Sequence, residues 1–130
     1  MPCMSVRLVA CTSKIDLVLI IDVSGSIQFE RINVVREFLV SIMADLDIGP
    51  TSTRVAAVYF SDEAYTAFPL DRFQSRQDVQ EALRYIPYIG GRTNVGAGLQ
   101  IARTNILNVY CFLPPPLSVF ILSLSVCMFF

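Results

Sequence analysis

Asp22, Ser24 and Ser26 occupy alternate positions of the segment Asp22-Val23-Ser24-Gly25-Ser26. At that spacing one carboxylate and two hydroxyls can be aimed at a single point, because Gly25 lets the backbone turn sharply. All of these donors are oxygen. A hard divalent cation such as Mg²⁺ takes oxygen ligands in near-octahedral geometry and keeps several waters, so few protein ligands are needed. With a single formal charge in the set, the ion would stay electrophilic and suited to capturing an external carboxylate rather than to permanent storage. The same residues also fit a Ser/Gly turn opening a helix, with Ser24 or Ser26 as N-cap. An aspartyl-phosphate enzyme built on Asp22 fits poorly, since such phosphatases carry a second Asp two residues on, where this chain has Ser24.

Other chemistry is excluded by what the 130 residues lack. There is no histidine, which removes Ser/His/Asp and Cys/His nucleophile–base pairs and His-containing zinc sites. Cys3, Cys11, Cys111 and Cys127 never fall two or three residues apart, so neither a zinc ribbon nor a dithiol redox motif can be read from them. A formal net charge of −1 leaves no electrostatic footprint for nucleic acid or an anionic membrane surface.

The elements that must position the oxygen cluster follow from hydropathy. Ile15 to Asp22 is a nearly unbroken aliphatic run, as expected of a strand covered on both faces of a parallel sheet. From Phe29 the apolar period lengthens, with Ile32, Val35, Phe38, Leu39, Ile42, Met43 and Leu46 predicting an amphipathic helix that stops at Gly49-Pro50. Arg54–Phe60 and Tyr65–Leu70 read as strands joined by a short polar link, Ser61-Asp62-Glu63, hence an antiparallel hairpin with Pro69 at a sheet edge. Ser75 to Ile86 reads as a second helix with Val79, Leu83 and Ile86 inward. The turn Gly90-Gly91-Arg92-Thr93-Asn94 leads to a third helix over 95–107, with Leu99, Ile101, Ala102 and Ile106 as its expected buried stripe. Strand, crossover helix and strand imply a right-handed parallel unit in an α/β doubly wound, Rossmann-like, mostly parallel sheet with helices on both faces. Such sheets bind ligands at the carboxyl ends of their strands, which is where both Ser/Gly-rich turns would lie. Thr93-Asn94 could equally be the N-cap of the third helix.

Asp22-Val23-Ser24-Gly25-Ser26 after its aliphatic strand resembles the D-x-S-x-S metal-ion-dependent adhesion motif (MIDAS) of von Willebrand factor type A (VWA) domains. Four further segments match in order: Val35-Arg36-Glu37-Phe38-Leu39; Ile48-Gly49-Pro50 before Thr53-Arg54-Val55; Tyr59-Phe60-Ser61-Asp62; and Gly90 to Leu99. The flavour is similar to the extracellular matrix branch, as in matrilins and A-domain-bearing collagens. The resemblance implies that Ser24 and Ser26 ligate Mg²⁺ or Mn²⁺ through their hydroxyls, that Asp22 acts mostly through water, and that Thr93 supplies a hydroxyl from the second loop. It implies a non-enzymatic adhesion module whose metal binds an acidic side chain of an extracellular protein ligand, collagen or another matrix protein. It also implies a cysteine at Cys11 that often pairs with one beyond the last helix. The family's remaining ligand, an aspartate after the fourth strand in a T-D-G-like sequence, has no counterpart here, which makes metal binding weak or absent by this criterion. The other reading is therefore a shortened splice or gene-model product with no binding activity of its own.

Three segments are expected: a lead over 1–14, a partial VWA domain over 15–107 that is incomplete at its C-terminus, and a tail over 108–130. All charged side chains, ten Lys and Arg and eleven Asp and Glu, lie between Arg7 and Arg103. The uncharged tail has three readings: translated sequence outside the domain, a substitute fourth strand over Leu117–Leu122, or a membrane segment. The strand reading puts Ser123-Leu124-Ser125 where the family has its aspartate. The membrane reading falls short, because the residues after Pro116 are fewer than the roughly 20 that span hydrocarbon. The family resemblance implies an extracellular location, although Met1 to Thr12 contains no usable signal peptide.

Overall fold

The computed structural model describes residues 15–107 and 118–124. Four strands form one sheet in the order β3-β2-β1-β4, where β1 is Ile15–Asp22, β2 is Thr53–Phe60, β3 is Ala64–Phe68 and β4 is Ser118–Leu124. β1 pairs in parallel with β2 on one side and with β4 on the other, while β2 and β3 form the antiparallel hairpin expected from the short polar link. Three helices follow in chain order: α1, Ile32–Ala44; α2, Arg76–Arg84; and α3, Val95–Ile101.

The aliphatic runs of β1 and β2 are explained by cover on both faces. Leu19 and Ile21 of β1 and Val55 and Ala57 of β2 pack in one core with Leu39 and Met43 of α1 and Val79 and Leu83 of α2. Val18 and Ile20, with Ala56, Val58 and Phe60, face the other core, which holds Ala102 and Ile106 from the far end of the third helical segment. Helices on opposite faces of a mostly parallel sheet make the VWA-type doubly wound architecture, incomplete towards the C-terminus.

Two helical readings differ from the sequence expectation. The long first helix begins at Ile32, not Phe29, because 3₁₀ turns at Gly25–Ile27 and Phe29–Arg31 precede it, with Gln28 between them at φ 67°. That turn takes Phe29 out of the apolar stripe: it is 67% exposed and meets Tyr88 edge-on at 5.6 Å. Phe38 is exposed as well, whereas Ile32, Leu39 and Met43 are buried as expected. The third helix is α-helical only to Ile101 and continues as a π-helical turn over Ala102–Leu107. Leu99 is exposed instead of buried, because the residue of this helix nearest the sheet is Gly98. A Cβ there would lie 2.8 Å from Phe60 Cδ1 and 3.0 Å from Ile20 Cγ2. Only glycine permits that approach, so the contact leaves no hydropathic trace.

Beyond the partial domain expected over 15–107, β4 from the uncharged stretch runs beside β1 from Ile15↔Ser118 to Ile21↔Leu124. Cys11, Cys111, the lead segment and Pro114-Pro115-Pro116 lie outside the described residues. Among the described residues, no helix is long and apolar enough to cross a membrane.

Candidate metal centre

Because β1 and β2 run parallel, both deliver their ends to one rim, with Asp22 opposite Phe60. The Val23 N–H donates to the Phe60 carbonyl at 2.9 Å, carrying the ladder one residue into the loop. Asp22 and Ser24 are fully buried there. The Ser24 N–H donates to Asp22 Oδ1 at 2.8 Å, which fixes the carboxylate against its own loop.

Ser24 stands at the N-cap of the first 3₁₀ turn, yet its side chain makes no capping bond. Its hydroxyl is turned instead to two others: Ser24 Oγ lies 2.8 Å from Ser26 Oγ and 2.8 Å from Thr93 Oγ1, and the Ser26–Thr93 pair closes the triangle at 3.2 Å. Thr93 reaches this point from a loop nearly seventy residues on. That loop is hung on β1 by main-chain bonds, the Ile89 and Gly90 N–H groups donating to the Val23 carbonyl at 3.3 and 2.9 Å, and the Gly25 N–H to the Gly91 carbonyl at 2.9 Å. Gly90 and Gly91 adopt φ of 78° and 81°, the left-handed region that favours glycine. Upstream, Arg36 of α1 donates from Nε and Nη2 to the Ile86 carbonyl at 2.8 and 2.6 Å, anchoring the start of the same loop. The cap of α3 is supplied by Asn94, whose Oδ1 accepts from the Ala97 N–H at 3.1 Å. Neither Ser24 nor Thr93 therefore uses its hydroxyl as a helix cap.

Of the four residues expected from sequence, Ser24, Ser26 and Thr93 meet through their hydroxyls, and Asp22 is held in the same loop by the Ser24 amide. Among the described residues no three His, Cys, Asp or Glu side chains cluster; the constellation is built from hydroxyls and one carboxylate. Its dimensions can be tested against a cation. An octahedral ion with oxygens at the Mg²⁺ distance has an octahedron edge of about 2.8–3.0 Å, against about 3.3–3.7 Å at the Ca²⁺ distance. Two of the observed edges, both 2.8 Å, match the smaller octahedron, and the third, at 3.2 Å, lies between the two ranges. They are also ordinary hydroxyl–hydroxyl hydrogen-bond lengths, so the same triangle can close on itself.

A family model described as the von Willebrand factor type A domain matches residues 16–109. The chain belongs to the VWA family. Human matrilin-4 is 33% identical over 91 residues, covering 70% of this chain and 15% of that protein. The mouse collagen alpha-4(VI) chain is 35% identical over 100 residues, covering 75% of this chain and 4% of that protein. These are the matrilin and collagen relatives that the sequence resemblance implied, and this VWA chain spans only a small part of their length. Among solved structures, proximal thread matrix protein 1 from the mussel byssus, with a zinc-occupied MIDAS motif, aligns with a TM-score of 0.71 at 28% identity. That alignment covers 87% of this chain and 29% of the mussel protein.

The rim of this VWA domain holds one residue to which the sequence reading gave no role. Asp62 is exposed, and a Cβ added to Gly91 would lie 2.5 Å from its Oδ2. The available signal was position: Asp62 follows the end of β2 by two residues, and β2 is the parallel neighbour of the strand that carries Asp22.

Proposed function

We propose that this chain is a metal-ion-dependent binding module of an extracellular matrix or cell-adhesion protein, and that it is not an enzyme. The observation that carries the reading is the triangle of Ser24, Ser26 and Thr93 hydroxyls beside the buried Asp22, with helix capping taken over by Asn94. Those three hydroxyls would ligate Mg²⁺ or Mn²⁺, and Asp22 would act beside them, mostly through water. When bound, such an ion supplies an open coordination position and a positive charge for an acidic side chain of a protein ligand. The chain's own residues orient that position: Asp22 braces the loop through the Ser24 amide, and the Gly90–Gly91 turn holds Thr93 across from Ser24.

The matrix setting is supported by the relatives, which are matrilins and collagens, and by the mussel matrix protein whose MIDAS motif holds zinc. Collagen or another matrix protein is the partner class this favours, at an extracellular location. Calorimetric titration of the full chain with Mg²⁺ is the test. Binding is expected in the native protein and lost in Asp22→Asn; a native protein that takes up no Mg²⁺ or Mn²⁺ would remove the reading.

A further inference from the structure

Three hydroxyls are neutral, so Asp22 alone offsets half of the charge of a dication at the site. The fourth strand does not make up the difference. β4 reaches the same rim, with Leu124 paired to Ile21, and its last residues there are Ser123 and Leu124. The second loop contributes Gly90, Gly91, Arg92, Thr93 and Asn94, none of them acidic.

The strand on the other side of β1 does bring a carboxylate. β2 ends at Phe60 opposite Asp22, and the chain turns at once through Ser61 and Asp62. This turn is tied to the Thr93 loop: the Asn94 N–H donates to the Ser61 carbonyl at 2.9 Å, and Asn94 Nδ2 donates to the Asp62 carbonyl at 3.3 Å. Asp62 Oδ2 occupies the space that a Cβ on Gly91 would need. On its other side Gly91 accepts from the Gly25 N–H, between Ser24 and Ser26. Gly91 is thus bonded to the loop that carries Ser24 and Ser26 and also lies against the Asp62 carboxylate. The neighbouring acid is turned away, since Glu63 accepts from the Tyr65 hydroxyl at 3.2 Å on the hairpin.

We propose that Asp62 supplies the second negative charge of the cation site, acting across Gly91 and through solvent rather than as a direct ligand; this rests on the metal reading above. An exposed carboxylate that bonds none of the ligands acts through its field, which solvent and salt screen, so its effect on affinity is a few-fold. Gly91 has a second reason to be glycine beyond its φ, because any side chain there would displace the carboxylate.

The test is Mg²⁺ titration of the full chain by calorimetry at low and near-physiological ionic strength, for the native protein, Asp62→Asn and Asp62→Glu. The expected result is about threefold weaker binding in Asp62→Asn at low salt. Asp62→Glu should recover most of the loss, thermal melting should be unchanged, and the gap should narrow as salt is added. Mg²⁺ binding by the native protein that Asp62→Asn leaves unaltered overturns this inference and spares the metal reading. A loss of the same size at every salt concentration, accompanied by a lower melting temperature, also overturns it, as a structural effect. A native protein that binds no Mg²⁺ overturns both.

Discussion

β1 carries a buried carboxylate near each end, and the two are treated differently. Asp16, near the first end, directs both oxygens at one guanidinium, with Arg54 Nε and Nη2 each at 2.7 Å from the adjacent parallel strand. Asp22, at the last end, takes the Ser24 amide on Oδ1, and the Ser24 hydroxyl meets those of Ser26 and Thr93. Both residues share the face of the strand that Val18 and Ile20 use. The difference lies in what the neighbouring residues supply. A fork-shaped cation of fixed position closes the first site as a structural tie. The second adjoins a loop whose small hydroxyls meet one another and that of Thr93. A buried carboxylate is therefore no signal of function by itself; its neighbours decide.

The largest test breaks the structural end. Asp16→Asn leaves the Arg54 guanidinium mostly buried opposite a neutral partner, and removing one member of a buried pair costs about 3 kcal/mol or more. Urea unfolding should show that loss, while Mg²⁺ affinity of the folded protein stays the same. Asp22→Asn keeps an acceptor for the Ser24 amide, so its stability loss should be smaller than that of Asp16→Asn, with Mg²⁺ binding gone. If both variants lose stability equally and neither touches metal binding, the contrast between the ends of β1 collapses.

A smaller effect sharpens the rim itself. Two of the three hydroxyl edges, at 2.8 Å, have the length of a Mg²⁺ octahedron edge, and the third, at 3.2 Å, falls between the Mg²⁺ and Ca²⁺ ranges. Mg²⁺ and Mn²⁺ should bind about tenfold more tightly than Ca²⁺, a difference of about 1.4 kcal/mol. Competition calorimetry measures this directly. Equal or tighter Ca²⁺ binding would mean that the triangle opens on loading and that its dimensions carry no selectivity.

The two ends of β1 were not equally legible. Continuous aliphatic runs with helical periodicity between them announce a covered parallel sheet, and β1, β2, the hairpin and the first two helices follow that pattern. Ser24 and Ser26 could be proposed from spacing alone, because their convergence is local. For Thr93 the topology indicates only that its turn lies on the same rim, and the ligand role comes from the family resemblance, since nothing in local sequence says that a loop so far along the chain will hang from the Val23 carbonyl. The Asp16–Arg54 tie was not read at all: it depends on strand register, which places Asp16 opposite Arg54 and which hydropathy does not encode. Leu99 misled for a related reason. Periodicity counts apolar side chains, and the face of α3 that meets the sheet is marked by the absence of one, at Gly98.

The smallest effect concerns backbone conformation, which also distinguishes the rim from the structural end. Among the described residues, Gln28 is the non-glycine residue at positive φ, with φ 67° and ψ 139° between the 3₁₀ turn that contains Ser26 and the one that follows. A side chain held there costs about 1–3 kcal/mol. Gln28→Gly removes that cost and adds about 0.5–1 kcal/mol of chain entropy to be lost on folding. The net expectation is a gain of about 1 kcal/mol, read as a melting temperature higher by a few degrees. Mg²⁺ affinity should be unchanged, because Ser24 and Ser26 are fixed from the other side through Asp22 and Gly91. A stabilised variant that binds Mg²⁺ less well would instead show that the strained turn after Ser26 helps to aim its hydroxyl, making the rim a region where stability is given up for ligand geometry.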